Sequence, residues 1–199
     1  MTDLVIGADG SSRCAWGAGT PDYAVYHDTE WGRPLRGDDA LYERMTLEAF
    51  QSGLSWLTIL RKRAAFRKAF DGFRIESVAA FSAADVARLL DDTGIVRNRA
   101  KIEAAISNAR VALELPVGLS DLLWSFAPPP RRERPASFAQ VPALTVESTM
   151  MAKALKKRGF RFVGPTTAYA LMQATGMVDD HLVGCHVPAG DDDVMGWGA

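Results

Sequence analysis

Cysteine is scarce in this chain. Only two occur in 199 residues, Cys14 and Cys185, too few for a disulfide framework, so metal binding or reactivity is the expected use of each. Long apolar runs are missing as well: nothing approaches the roughly 20 residues of a membrane span. The first ten residues have no basic start and only a short apolar patch at Leu4 to Ile6, which reads as neither signal peptide nor anchor. A cytoplasmic, reducing location is therefore expected. There is no excess charge of either sign, with 23 Lys and Arg against 24 Asp and Glu, so indiscriminate adhesion to nucleic acid is disfavoured. No window of four or more residues alternates cleanly between apolar and polar, so no strand is predicted and the expected fold is all-α.

What the chain does contain is helical signal. Asp38 is placed to cap a helix running to Gly53, a second follows over residues 55–70, and Ser82 with Asp85 forms a capping-box-like start for a helix ending near Gly94. Residues 98–115 carry Ile102, Ala105, Ile106, Ala109 and Leu113 at helical spacing. Ser148 or Thr149 opens a helix that stops at Gly159, and a last one runs from about Thr166 to Gly176. Residues 127–135 hold four of the ten prolines and read as a loop that divides one domain into two lobes. The expected organisation is an extension over 1–12, a helical domain over 13–188, and a tail over 189–199, in which residues 191–199 have no assigned role. Neither a repeat nor a low-complexity segment is visible.

Each cysteine has a histidine nearby. Cys14 is followed by His27, and His181 precedes Cys185, making a Cys2His2 set split between the two ends of the chain. Thiolate and imidazole suit zinc, and four protein ligands close its tetrahedral shell, so the metal would be structural and unable to activate water. The spacing matches no standard zinc finger, scattered Cys and His are also ordinary core residues, and His186 is a spare candidate.

Basic residues cluster at 61–68, 97–101, 131–134 and 153–161, a distribution that offers a phosphate-friendly face, although each cluster alone is an ordinary solvated helix surface. Gly159-Phe160-Arg161-Phe162-Val163-Gly164-Pro165-Thr166-Thr167-Ala168 joins the last two predicted helices through a turn with a glycine at each end. Backbone N–H groups at the start of the second helix would face outward there, an arrangement that favours an anion such as DNA phosphate. The segment is close to the helix-hairpin-helix motif, though a Gly-Pro pair is also a plain helical corner.

Glu48 falls seven residues after Leu41 and three after Met45, on the same helix face as those apolar groups. A carboxylate so placed pairs with an arginine at the rim, or serves a ligand. Trp56 follows closely, and Trp16, Tyr23, Tyr26 and Trp31 crowd the segment carrying Cys14 and His27. Such aromatics are core material in most chains; beside an acid they also suit a flat cationic ligand.

Four blocks taken together resemble the DNA-3-methyladenine glycosylase I family of helix-hairpin-helix glycosylases, over nearly the whole stretch from Arg13 to Pro188. They are Tyr26-His27-Asp28-Thr29-Glu30-Trp31-Gly32, Leu47-Glu48-Ala49-Phe50-Gln51-Ser52-Gly53-Leu54-Ser55-Trp56, Ala154-Leu155-Lys156-Lys157-Arg158-Gly159-Phe160-Arg161-Phe162-Val163-Gly164, and Asp180-His181-Leu182-Val183-Gly184-Cys185. The resemblance implies excision of 3-methyladenine from alkylated double-stranded DNA by hydrolysis of the N-glycosidic bond, after the base is flipped out, by an enzyme expected to be a monomer. It implies a structural zinc on Cys14, His27, His181 and Cys185. It makes Glu48 the catalytic carboxylate and places Tyr26, Trp56, Tyr23 and Trp16 in the base pocket. Gly53 and Leu54 would enter the gap left by the extruded nucleotide, while Arg161, Gly164 and Thr166 would meet the DNA backbone. Asp179 stands where the family often has asparagine, so it is either an extra acid near the sugar or a cap ahead of His181. A non-catalytic DNA-binding protein and a zinc hydrolase are the rival readings; the first has no use for a buried acid among aromatics, and four ligands close the metal to the second.

Overall fold

The computed structural model describes residues 3–189; residues 191–199, for which the sequence suggested no role, lie outside them. The fold is helical, with one departure from the expectation of no strands. Leu4–Ile6 (β1) and Ser12–Cys14 (β2) form an antiparallel hairpin in the register Leu4↔Cys14, Val5↔Arg13 and Ile6↔Ser12. Strands of three residues are too short to show a period of two, which is why alternation did not reveal them. The turn between them is closed by Gly7 N–H donating to Ser11 O, with Gly10 at φ 78°.

Nine α-helices follow among the described residues: α1 Pro21–Thr29, α2 Asp38–Gln51, α3 Trp56–Ala69, α4 Ile75–Ala79, α5 Ala83–Asp91, α6 Arg99–Leu113, α7 Gly118–Trp124, α8 Val146–Lys157 and α9 Pro165–Ala174. Sequence chemistry sets several boundaries. Ser55 and Asn98 cap α3 and α6 through their side chains, and Ser82 and Asp85 form the expected capping box on α5. The start of α8 corrects one expectation. Thr145 is the cap and Ser148 sits at the third helical position, the two exchanging a reciprocal capping box, so the helix opens two residues before Ser148, at Val146. Helices α1, α4 and α7 were not anticipated, although Thr20 before Pro21 is a cap followed by proline at the first helical position.

The core gathers around α2, from which Leu41, Tyr42, Met45, Leu47 and Phe50 are all buried. This helix packs against α3, α6, α7 and α9, so both its faces are covered and its apolar pattern is broad instead of striped. Residues 127–135 carry no helix or strand, as expected. They cross the body, where Arg131 binds the buried Asp180 carboxylate and the Tyr169 hydroxyl. The segment after α9 meets both this loop and the N-terminal hairpin: Val183 N–H donates to Pro135 O, and His186 N–H donates to Ser12 O on β2.

Candidate functional site: an acid among aromatics beside a Cys2His2 cluster

The four expected ligands converge. Cys14 is delivered by the end of β2, His27 by the last turn of α1, and His181 and Cys185 by the segment after α9. Their ligating atoms all lie within 4.8 Å of one another. Cys185 Sγ is 3.6 Å from both His27 Nε2 and His181 Nδ1, and Cys14 Sγ is 4.0 Å from His181 Nδ1. A tetrahedral ion with metal–sulfur bonds near 2.3 Å and metal–nitrogen bonds near 2.0 Å separates sulfur from nitrogen by about 3.5 Å. The cluster therefore fits a metal.

The outer contacts fit it as well. His27 Nδ1 is 2.7 Å from Asp28 Oδ1, and His181 Nε2 is 3.1 Å from Trp31 O. Each ring thereby spends one nitrogen as donor and aims the other into the cluster, as bound histidines do. Asp28 is held in turn by Arg13 Nε and Nη2 and faces His186 Nε2 at 3.0 Å, so the spare histidine belongs to the outer layer. Space is tight around the rings. A Cβ on Gly17 would stand 2.6 Å from the His27 ring, and one on Gly32 3.1 Å from His181. Asp179 accepts from the His181 backbone N–H and from Arg134 Nε, which places it as a cap and ion-pair partner.

Trp16 links the cluster to the neighbouring aromatics. Its ring lies 5.2 Å from His27, 4.9 Å from Trp31, 5.7 Å from Tyr23 and 6.3 Å from Tyr26. The Tyr23 hydroxyl accepts from Leu57 N–H and so anchors the start of α3. Tyr26 is buried, with its ring 5.4 Å from Trp56. Sequence reasoning missed the charged frame behind it: Arg44 Nη1 donates to the Tyr26 hydroxyl at 3.4 Å, and Glu30 accepts from both Arg44 and Arg63. Glu30 stands inside a block already singled out, which was the available signal.

Glu48 is 5% exposed. It takes no ion-pair partner among the described residues, contrary to the plain expectation of an arginine at the rim. Burial pushes its carboxyl up to about 7, with Arg44 opposing. Burial also pushes the Tyr26 phenol up, with Arg44 opposing and Glu48 adding to the rise. On its other side Glu48 lines a narrow crevice with Val163, Thr167 and Ala168 of the turn and α9. The indole Nε1–H of Trp56 is buried without a partner, a donor left for a ligand or water.

The turn residues are separately placed. Gly53 has φ 83° with open space around it, and Leu54 is 41% exposed. Gly164 caps α9 with an ordinary φ of −88°, and a Cβ there would meet nothing within 4 Å. Arg161 is exposed, and its backbone is gripped by Asn108 of α6.

The methyladenine glycosylase family model matches residues 16–188. DNA-3-methyladenine glycosylase 1 of Escherichia coli (strain K12) is 45% identical over 177 residues, covering 87% of this chain and 95% of that protein. A relative from Haemophilus influenzae, named DNA-3-methyladenine glycosylase, is 42% identical over 88% of this chain and 97% of its own length. A crystal structure of 3-methyladenine DNA glycosylase I superposes with a TM-score of 0.84 at 46% identity, covering 87% of this chain and 98% of that one. Another solved structure, a tyrosine-to-phenylalanine variant of such an enzyme in complex with 3-methyladenine, gives 0.84 at 35% identity over 90% and 99%. With its family model spanning most of the chain and these relatives covered almost end to end, the protein belongs to the methyladenine glycosylase family.

Proposed function

We propose that this protein excises 3-methyladenine from alkylated double-stranded DNA, with Glu48 reading the charge of the extruded base and Tyr26 and Trp56 holding its ring. The observation that carries this is the buried Glu48 carboxyl with no ion-pair partner among the described residues, together with the buried, unpaired indole N–H of Trp56, whose ring lies 5.4 Å from that of Tyr26. A structural acid of that depth is normally paired. Left as it is, the acid suits a cationic ligand.

Methylation at N3 makes the adenine cationic, so the bond to deoxyribose is already weak and the base leaves as a neutral species. Strong acid catalysis is unnecessary. Extrusion costs roughly a few kcal/mol, less for a damaged base, and stacking on Trp56 and Tyr26 offsets it. Glu48 accepts from the exocyclic amine, and its negative form favours the cation over neutral adenine. Water then adds to the sugar carbon as the bond to the departing neutral base breaks, and its proton passes to solvent, leaving an abasic site. Tyr23 and Trp16 back the pocket.

The α8–turn–α9 unit, residues 146–174, acts as a helix-hairpin-helix. Arg161 and the open N-terminus of α9 at Gly164 and Thr166 meet backbone phosphate, while Gly53 and Leu54 fill the vacated stack. Cys14, His27, His181 and Cys185 would hold a zinc ion, and four protein ligands would make its contribution structural crosslinking and not activation of water. Their role is to fasten the aromatic segment against the region after the hairpin.

Glu48→Gln tests the assignment. Its release of free base from methylated duplex should fall about 100-fold or more while duplex affinity stays within about threefold. Equal excision by the variant removes Glu48 from the mechanism, and DNA binding without base release by the unaltered protein favours the non-catalytic alternative.

A further inference from the structure

Two buried polar side chains of α6 are unused by the site described above, and each ends on backbone of a different DNA-facing turn. Lys101 is 9% exposed, and its Nζ donates to Phe50 O at 2.9 Å and Ser52 O at 2.7 Å. Those carbonyls belong to the end of α2, where a helix leaves acceptors unsatisfied and its dipole favours a cation. The next residues are Gly53 and Leu54, and Trp56 opens α3 directly after them. Asn108 is 2% exposed. Its Nδ2 donates to Arg161 O at 3.0 Å, and its Oδ1 accepts from Arg161 N–H at 2.8 Å. One amide thus consumes both backbone groups of the residue at the tip of the 159–164 turn, beside Phe162, which is held at φ 56° and 38% exposed.

Lys101 and Asn108 are seven residues apart. That is about two turns, or about 10 Å along α6, with the two side chains on nearly the same face. Both turns carry an exposed apolar side chain, Leu54 and Phe162. We infer that Lys101 and Asn108 are positioning residues that set, from one face of α6, the register between the 52–55 turn at the extruded nucleotide and the 159–164 turn on the phosphate backbone. Lys101 acts through Leu54 on the opening of the duplex, and Asn108 acts through Arg161 on the grip of the strand. This rests on the glycosylase reading, and it gives a different signature from simple packing. Loss of glue would damage every activity together, whereas loss of register would damage only what needs a duplex.

The test uses Lys101→Met, Asn108→Ala, Leu54→Ala and the Lys101→Met/Leu54→Ala pair. Readouts are single-turnover excision from methylated duplex and methylated single strand, duplex Kd, and affinity for free 3-methyladenine. Lys101→Met is expected to slow duplex excision about tenfold, with single-strand excision and free-base affinity within about twofold. Asn108→Ala is expected to weaken duplex Kd about tenfold while the rate at saturating DNA stays within about threefold. Adding Lys101→Met to Leu54→Ala should cost little more than Leu54→Ala alone, because both act on one step. Parallel losses on duplex, single strand and free base would reduce both residues to packing and overturn the inference, as would unchanged duplex kinetics or fully additive effects in the pair. Failure of the glycosylase reading is separate: the unaltered protein would then release no base from either substrate.

Discussion

A carboxyl whose pKa is raised by burial reports on itself through pH. Glu48 ordinarily titrates near 4.5 and is pushed to about 7 in the folded chain. In the unliganded protein it is therefore roughly half ionised at neutral pH, and only the ionised form attracts a cationic base. The kcat/KM for methylated duplex should rise with pH between about 6 and 8 with an apparent pKa near 7, since that ratio titrates the free enzyme. Glu48→Gln should lack this limb. A profile that is flat for both proteins would show that the charge of Glu48 is not what selects the base. Stability runs the other way. Below 4.5 the group is neutral in both folded and unfolded chains. As pH rises from 4.5 towards 7 the unfolded form ionises first, and the folded state loses up to about 3 kcal/mol relative to the unfolded one. Glu48→Gln should be close to wild type in melting temperature at pH 4.5 and above it at pH 8, a gain in stability set against a loss of function.

At the scale of elements, the start of α9 separates what geometry demands from what a ligand demands. Gly164 has an ordinary backbone conformation and open space where a Cβ would be, so nothing inside the protein requires glycine there. What glycine leaves is bare backbone at a helix N-terminus, close enough for a phosphate oxygen to reach the first N–H groups. Gly164→Ala should leave the melting temperature within about 2 °C and weaken duplex affinity several-fold; unchanged affinity would place the phosphate elsewhere. Elements of this kind were legible in the sequence because their signals are local. Ser55, Ser82 and Asn98 cap the helices their chemistry announces, and Gly164-Pro165 marks the corner before α9. The start of α8 was displaced because Thr145 and Ser148 are both good caps, and only the reciprocal bonds decide between them. The β1–β2 hairpin was illegible for want of length. Glu48, Tyr26 and Trp56 were singled out through blocks of sequence, whereas Lys101 and Asn108 were not. Their partners lie 51 and 53 residues away on backbone atoms, and no side-chain pattern encodes a bond to a distant carbonyl. Arg131 on Asp180 escaped notice because the two charges are 49 residues apart in a chain with many possible pairings.

For the molecule as a whole, the Cys2His2 cluster joins the β2–α1 region to the segment after α9. Cys14 and His27 come from β2 and α1, His181 and Cys185 from the segment after α9, and Trp16 and Trp31 pack on the His27 and His181 rings. Further ties join the same two regions, among them His186 N–H on Ser12 O, the Asp28 contact to His186 and Arg33 Nη1 on Pro188 O. Tyr26 precedes His27 in α1, and Trp16 touches both Tyr26 and Tyr23. Displacing His27 would therefore displace the wall of the proposed base pocket, while Glu48 on the many-sided core helix α2 would stay in place. Protein stripped by a strong chelator should melt about 10 °C or more lower than the zinc-loaded form. Its affinity for free 3-methyladenine should fall with it, and stoichiometric zinc should restore both where magnesium does not. Cys185→Ser should reproduce the stripped state in protein that has never met a chelator. The decisive comparison is excision at a temperature where the stripped protein is still folded. A deficit in base binding there makes the metal a clasp for the pocket, whereas full excision by folded, metal-free protein would leave the four side chains without a metal-dependent task.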